Sequence, residues 1–365
     1  MDTFSRFTDL AESLPPTVPF VGPETQERAA GQPFTARLGA NELGFGPAPS
    51  VIEAIATASP LIWRYADPEN HDLKQALADK LGLPADQITV GEGIDGLLGL
   101  VTRLVVTPGT AVVTSLGAYP TFNYHVAGFG GRLVTVPYRD DHEDLDALLE
   151  TVRAENAPLV YLANPDNPMG TWHSGDAIIE FAKALPETTL LVLDEAYCEF
   201  APPDAIPNIV ALNGMQNVIR FRTFSKAYGM AGQRVGYAYG TAGTISRFDR
   251  VRNHFGVNRL AQAAAIAALA DTEWLDHVLG EVRASISRLE HTATANGLGF
   301  LPTATNFLAI DCEDPSRAKS VLEGLGKQGI FIRMPGVAPL NRCIRVSAGP
   351  ENEIDAFETA LPKLL

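Results

Sequence analysis

The sequence predicts an α/β protein: a large lobe with a mainly parallel, seven-stranded sheet covered by helices, and a smaller α+β lobe. Three observations carry this. Seven short, nearly continuous apolar runs lie between residues 88 and 240, as expected of strands covered on both faces. Helical repeats and Gly/Pro turns separate several of them. After about residue 245 the texture changes to long helical stretches followed by a few late strands. A chain of 365 residues suits two lobes better than one.

The elements follow in order. Residues 1–38 are rich in Pro, Gly and Thr with weak periodicity, and read as an irregular arm that packs on the small lobe or on a partner subunit. Residues 39–245 read as the large lobe. Its "HDLKQALADKLG" sets Leu73, Leu77 and Leu81 at helical spacing, with Asp72 as N-cap. "QITVG" is a strand, "DGLLGLVTRLV" a helix, "TPGT" a turn and "AVVTS" a strand. "RLVTVPY", "LVYLAN", "TLLVLDEAY", "VIRFRTFS" and "RVGYAYG" are further strands, and "GDAIIEFAKAL" is a helix between two of them. Residues 246–365 read as the smaller lobe. There "RLAQAAAIAALADTEWLDHVLGEVRASISRLEHTATANG" is one long helical stretch. "NFLAIDC", a helix near 316–328, "IFIRM", "CIRVSAG" and a last helix complete it.

Composition narrows the function. A net charge of −15 argues against nucleic acid or an anionic membrane surface as the main partner. Cys198, Cys312 and Cys343 are sparse, odd in number and without a C-x-x-C pair, which suits a reducing compartment better than a disulfide framework or a metal site. The opening "MDTFSRFTDLAESL" lacks the apolar core of a secretory signal, and no stretch reaches the roughly 18 apolar residues of a membrane span. The expectation is a cytoplasmic protein with small-molecule substrates.

Four motifs carry chemistry. "GEGIDG" (91–96) contains G-x-G-x-x-G between a strand and a helix, which suggests a nicotinamide dinucleotide site. No Asp or Glu lies between Asp95 and Asp140 to hold a ribose, which weakens that reading. What remains is a phosphate nest at a helix N-terminus, or an ordinary tight turn. "ANPDNPMG" (163–170) forces a turn at a strand's carboxyl end, where open α/β sheets bind ligands. "LLVLDEAYCEF" (190–200) ends an apolar strand in Asp194, with Tyr197 three residues on. A buried carboxylate there needs a cation or several donors. Lys226, one of seven lysines, closes "VIRFRTFS" beside Ser225 and the small residues of "AYGMAG". A neutral lysine amine attacks carbonyls, and burial favours that neutral form. Each motif has a plainer account: a turn, a cap, an ion pair or a surface lysine. Together they match the needs of pyridoxal 5'-phosphate: an amine for its aldehyde, an acid for its ring nitrogen, and donors for its phenolate and phosphate.

In the order "NELGFGP", "YADPE", "GEGIDGLL", "NPDNPMG", "DEAYCEF", "TFSKAYGMAGQRVGY", "NFL", "CIRVSAG", the chain resembles the fold-type I, class I/II pyridoxal-phosphate aminotransferases, and among them the histidinol-phosphate aminotransferases. The resemblance runs from about residue 35 to the end. It implies a Schiff-base lysine at Lys226 that also shuttles the proton, a pyridinium partner at Asp194, and phenolate donors at Tyr197 and Asn167. It implies a stacking ring at Tyr119. Gly93, the backbone at Ile94 and Asp95, and Thr223, Ser225 and Arg234 would hold the phosphate. Tyr65 would reach the cofactor phosphate of a neighbouring subunit, which implies a homodimer with shared sites. Arg345 would grip a substrate carboxylate, Arg333 a distal phosphate, and Asn41 and Phe20 would line the substrate side. The reaction implied is ping-pong amino transfer from histidinol phosphate, or an aromatic or other L-amino acid, to a 2-oxo acid such as 2-oxoglutarate. Three positions depart from the pattern: Phe20 stands where tyrosine is common, "NELGFGP" replaces N-E-N-P, and Met169 replaces threonine. A lyase or decarboxylase on the same cofactor, resembling threonine-phosphate decarboxylase, is the alternative. A nicotinamide-dependent dehydrogenase is a remote one.

Overall fold

The computed structural model describes residues 6–15 and 20–365. Twelve strands occur among them: β1 (Ala36–Arg37), β2 (Ile88–Gly91), β3 (Ala111–Ser115), β4 (Arg132–Val136), β5 (Leu159–Ala163), β6 (Leu190–Asp194), β7 (Val218–Thr223), β8 (Gly236–Gly240), β9 (Gly299–Phe300), β10 (Phe307–Asp311), β11 (Ile330–Phe331) and β12 (Cys343–Ser347). The seven from β2 to β8 form one sheet in the order β2-β8-β7-β6-β5-β3-β4. Only β8 runs against its neighbours; the others point the same way. Residues of β3, β5 and β6 are buried on both faces, which is why these strands read as unbroken apolar runs.

Parallel neighbours require crossovers, and helices Pro120–Gly128, Leu145–Glu155 and Gly175–Ala184 supply them. Asp144 and Ser174 start the last two by accepting from the N–H groups of Ala147 and Ala177. The topology sets the carboxyl ends of β2, β3, β5, β6 and β7 along one edge. Gly93, Tyr119, Asn167, Asp194 and Lys226 all lie at or after those ends, so the sheet gathers residues far apart in sequence.

The smaller lobe packs β10, β12 and β9 against helices Thr272–Ala295, Pro315–Lys327 and Glu351–Ala360. Its core also takes Ala36, Leu38 and Leu43 from near the N-terminus, because β1 pairs in parallel with β11. The opening segment is thus more regular than its composition predicts. Helices Asp9–Ser13 and Pro23–Ala30 precede β1, the second with Pro23 at its start and Gly31 in the left-handed region at its end. Residues 1–5 and 16–19 of the expected arm lie outside the described residues.

Two sequence readings shift. Helix His71–Leu81 is not capped by Asp72, which sits in its first turn. Asp67 does that work, its Oδ2 accepting from the His71 N–H at 2.7 Å. The long helical stretch after residue 258 is two helices, Arg259–Ala270 and Thr272–Ala295. Asp271 breaks it by capping the second, accepting from the Trp274 N–H at 3.1 Å and from Ser50 Oγ at 2.5 Å. The buried alanines of the first helix pack with Val51, Leu73 and Leu77 in the larger lobe, upstream of where the chain changes lobes.

Candidate active site

Asp194 ends β6 almost fully buried. Its Oδ1 accepts from the Ala196 N–H at 2.9 Å and its Oδ2 from the Tyr161 hydroxyl at 2.7 Å. Burial pushes its carboxyl up to about 6 in spite of these donors. Glu195, the next residue, is fully buried and has a different fate. It accepts from Arg220 at 2.5 Å, from Arg222 at 2.8 Å and from the Tyr239 hydroxyl at 2.9 Å. That cluster fixes the turn after β6 and leaves Asp194 without an arginine of its own.

Lys226 follows β7, and its Nζ donates to the Asn41 carbonyl at 3.0 Å. Burial first, then the Arg345 guanidinium, bring its ammonium down to about 8, against the pull of Glu42 and Asp194. The amine is therefore poised near neutral pH, as a nucleophile or proton carrier must be. The chain around it makes a close approach: a Cβ on Gly229, at φ +66°, would sit 2.6 Å from the backbone of Gly46. That is why "AYGMAG" carries glycine there.

Asn41 links four side chains. Its Nδ2 donates to the Tyr197 hydroxyl at 2.8 Å, its N–H to Ser347 Oγ at 3.1 Å, and its carbonyl accepts from Lys226 and from Asn306 Nδ2. It holds this position with φ +54°, a conformation that asparagine tolerates better than most residues. Tyr197 is buried and stands edge-on to Phe307 at 5.5 Å. Burial raises its phenol above the ordinary range, so it stays a donor.

The helix Gly93–Val105 begins beside β8. Glu92 stands at its N-cap without a capping bond, so among the described residues the first N–H groups have no side-chain cap. Arg234 lies over this end: a Cβ on Gly93, at φ +74°, would meet its Nη2 at 2.8 Å. Arg234 Nη1 reaches Ser225 Oγ at 3.4 Å, and Thr223 Oγ1 accepts from the Ser225 N–H at 3.0 Å. Asp95 turns its carboxylate away to His125 Nε2 at 2.9 Å, leaving its backbone to the nest. Tyr119 stands at the N-cap position of the next helix, partly buried and without a capping bond, and feels the charges of Asp95, Asp194 and Arg234.

Arg345 and Arg333 face each other in an antiparallel bridge between β12 and the segment after β11. Arg345 donates to Asn167 Oδ1 and to the Gly39 carbonyl. Arg333 Nη2 donates to the Val21 carbonyl at 2.5 Å, and its guanidinium stacks between Phe20 at 4.2 Å and Phe331 at 4.9 Å. Both Nε atoms are buried and have no acceptor among the described residues. Phe20, whose counterpart in the resemblance acts across a subunit boundary, lies here against an arginine of its own chain.

Tyr65 stands apart. It is 79% exposed, packs on Phe255 at 4.8 Å, and touches none of these groups. Sequence reasoning missed Tyr161, Ser347 and Asn306. Only Tyr161 carried a signal, a phenol inside an apolar strand that had to find a partner.

The donor set fits the cofactor that the resemblance implies. An acid without an arginine suits a ring cation, an uncapped helix start under Arg234 suits a phosphate, and a lysine near its titration point suits an aldehyde. The sequence profile of the family described as Aminotransferase class I and II matches residues 35–361.

The chain belongs to that family. Its fold class is the family's, and the nicotinamide alternative falls away. This aminotransferase is 61% identical to a histidinol-phosphate aminotransferase from Sinorhizobium meliloti, solved in complex with pyridoxal-5'-phosphate. The two superpose with a TM-score of 0.97 over 100% of this chain and 98% of the other. It is 36% identical over 355 residues to histidinol-phosphate aminotransferase 1 of Nitrosococcus oceani, covering 97% of this chain and 95% of that one. An L-threonine-O-3-phosphate decarboxylase from Porphyromonas gingivalis matches at 18% identity and a TM-score of 0.74, over 90% of this chain and 98% of that one. That likeness shows the fold alone. No helix among the described residues is long and apolar enough to cross a membrane.

Proposed function

We propose that this aminotransferase uses pyridoxal 5'-phosphate to move the amino group of histidinol phosphate to a 2-oxo acid such as 2-oxoglutarate. One observation carries the reading. Arg234 and Arg345 act on Lys226, Arg333 stands beside Arg345, and none of the three has a carboxylate within ion-pair distance among the described residues. Guanidiniums left without counter-ions call for anions from outside. Three fit: the cofactor phosphate, the donor phosphate and the acceptor carboxylate.

When bound, the cofactor supplies an aldehyde for amines and a ring that accepts electrons. The chain does the rest. Thr223, Ser225, Arg234, Gly93 and the N–H groups of Ile94 and Asp95 hold the phosphate. Asp194 holds a proton on the ring nitrogen. Tyr119 covers the ring face. Tyr197 and Asn167 donate to the phenolate oxygen, Asn167 through the amide nitrogen that Arg345 leaves free. Lys226 Nζ would take up and carry the proton that leaves the donor's α-carbon. Arg345 orients the carboxylate as a two-pronged donor, and Arg333 takes the donor's distal phosphate beneath Phe20. Asn41 positions Tyr197 and Lys226. In this reading the large lobe, with Arg259–Ala270, holds the cofactor, while the arm and the smaller lobe close over the substrate.

The same reading makes the protein a cytoplasmic homodimer. Ile62, Trp63, Tyr65 and Phe255 are each more than half exposed, an apolar patch suited to a second copy, and Tyr65 would reach the partner's cofactor phosphate. Three free cysteines suit a reducing compartment.

A half-reaction screen tests the assignment. Holoenzyme is mixed with histidinol phosphate, aromatic amino acids, alanine or glutamate, and loss of the near-visible absorbance of the lysine-bound cofactor is followed. Fast loss with histidinol phosphate supports the donor. Indifference to it, with fast loss on an aromatic amino acid, moves the donor; release of carbon dioxide moves the chemistry to a lyase.

A further inference from the structure

Asp194 is held by two donors of different origin. The Ala196 N–H belongs to its own turn. The Tyr161 hydroxyl comes from the neighbouring strand, where Ala163 pairs with Asp194 and Tyr161 stands two residues earlier on the same face. Tyr161 is 1% exposed and stacks on Phe122 at 4.7 Å and 19°. Its hydroxyl makes one hydrogen bond among the described residues, at 2.7 Å to Asp194 Oδ2. A phenol in that setting is a fixed, neutral donor.

From this geometry we infer that Tyr161 is a positioning residue for the aminotransferase reaction: its hydroxyl orients the Asp194 carboxylate and keeps it ionised as the ring-nitrogen partner. The inference rests on the cofactor reading proposed above. Other groups around Asp194 do not replace this donor. Glu195 is committed to Arg220 and Arg222. Lys226 Nζ bonds to Asn41. Glu143, buried nearby, accepts from Ser115 Oγ and the Ala163 N–H, and burial pushes its carboxyl well up towards the neutral acid, so it offers Asp194 no cation. The phenols of Tyr119 and Tyr197 lie within electrostatic reach but make no hydrogen bond to it. Burial already pushes Asp194 towards its neutral acid. A neutral acid cannot balance a protonated ring, so the donor that favours the carboxylate decides the pH at which the site works.

Tyr161→Phe keeps the ring and its stack and removes the hydroxyl alone. Losing a hydrogen bond to a charged acceptor is worth on the order of tenfold or more in the equilibrium it supports. In full-length Tyr161→Phe holoenzyme, the acid limb of the kcat profile is expected to move up by about one pH unit. Cofactor affinity should weaken by about tenfold at pH 5 and by no more than about twofold at pH 7, with KM for the 2-oxo acid unchanged. In cofactor-free protein, the carbon-13 resonance of the Asp194 carboxyl should titrate higher by a similar amount. Phe122→Leu is the control for packing: it should lower the melting temperature and leave the acid limb in place. A Tyr161→Phe enzyme with an unmoved acid limb and unmoved Asp194 titration overturns the inference, whatever its melting temperature. So does a Phe122→Leu enzyme that moves the limb equally. If the wild type takes up no pyridoxal 5'-phosphate, the functional reading fails, and the Asp194 titration still decides the role of Tyr161.

Discussion

Replacing Lys226 by methionine should make the cofactor-free protein more stable, because the site holds an amine where the fold alone would not. Burial and Arg345 lower its pKa from the ordinary 10.5 to about 8. At 1.36 kcal/mol per pKa unit, keeping the ammonium folded at pH 7 costs roughly 3 kcal/mol. Methionine is unbranched, of similar length and uncharged. It forfeits the hydrogen bond to Asn41, worth about 1 kcal/mol, but that carbonyl keeps its bond from Asn306. A net gain of about 2 kcal/mol follows. The sign with pH is fixed by the direction of the shift. The unfolded chain holds the proton up to 10.5 and the folded one only to about 8. The cost is therefore full below pH 8, shrinks as pH rises, and is gone above 10.5. Urea unfolding of cofactor-free wild type and Lys226→Met at pH 7 and pH 10 measures it. A variant no more stable than wild type at pH 7 refutes the argument. A gain that is undiminished at pH 10 also does, because it would come from packing.

Asp194→Ala should keep the fold and lose most turnover, since nothing else balances the ring charge; near-normal kcat in a folded variant would remove that role. Cofactor affinity should fall as pH drops through about 6, where Asp194 takes up a proton in the empty site, and equilibrium dialysis from pH 8 to 5 reads this directly. Arg345→Lys should raise KM for the 2-oxo acid by roughly 10- to 100-fold with a smaller change in kcat, because an ammonium cannot match two carboxylate oxygens at once; steady-state kinetics with the acceptor varied will show whether the split holds.

Most of the sheet was legible because its strands are buried on both faces, and unbroken apolar runs such as "LVYLA" and "LLVLD" have few other uses. The polar residues at strand ends were legible for the converse reason: Asp194 has no cheap place at the end of a buried strand. What escaped depends on contacts distant in sequence. Asp271 divides a continuous helical pattern through a cap and a bond to Ser50, 221 residues away. Asp67 caps a helix from four residues before His71, which displaced the nearer Asp72. Asn41 looks like a loop asparagine until Tyr197, Lys226 and Ser347 converge on it. Tyr161 is legible as a phenol in an apolar strand that needs a partner, but only the pairing of β5 with β6 brings it to Asp194.

The pairing of β1 with β11 has a consequence for biosynthesis. Thr35 donates to the carbonyl of Gly329, 294 residues later. At roughly 5–20 residues per second, a ribosome needs on the order of 15–60 s to deliver that partner. Until then Ala36, Leu38 and Leu43 are apolar side chains with nowhere to dock. The larger sheet can close meanwhile, so the nascent chain carries a sticky leading end on a finished body, a natural client for chaperones that bind short extended apolar segments.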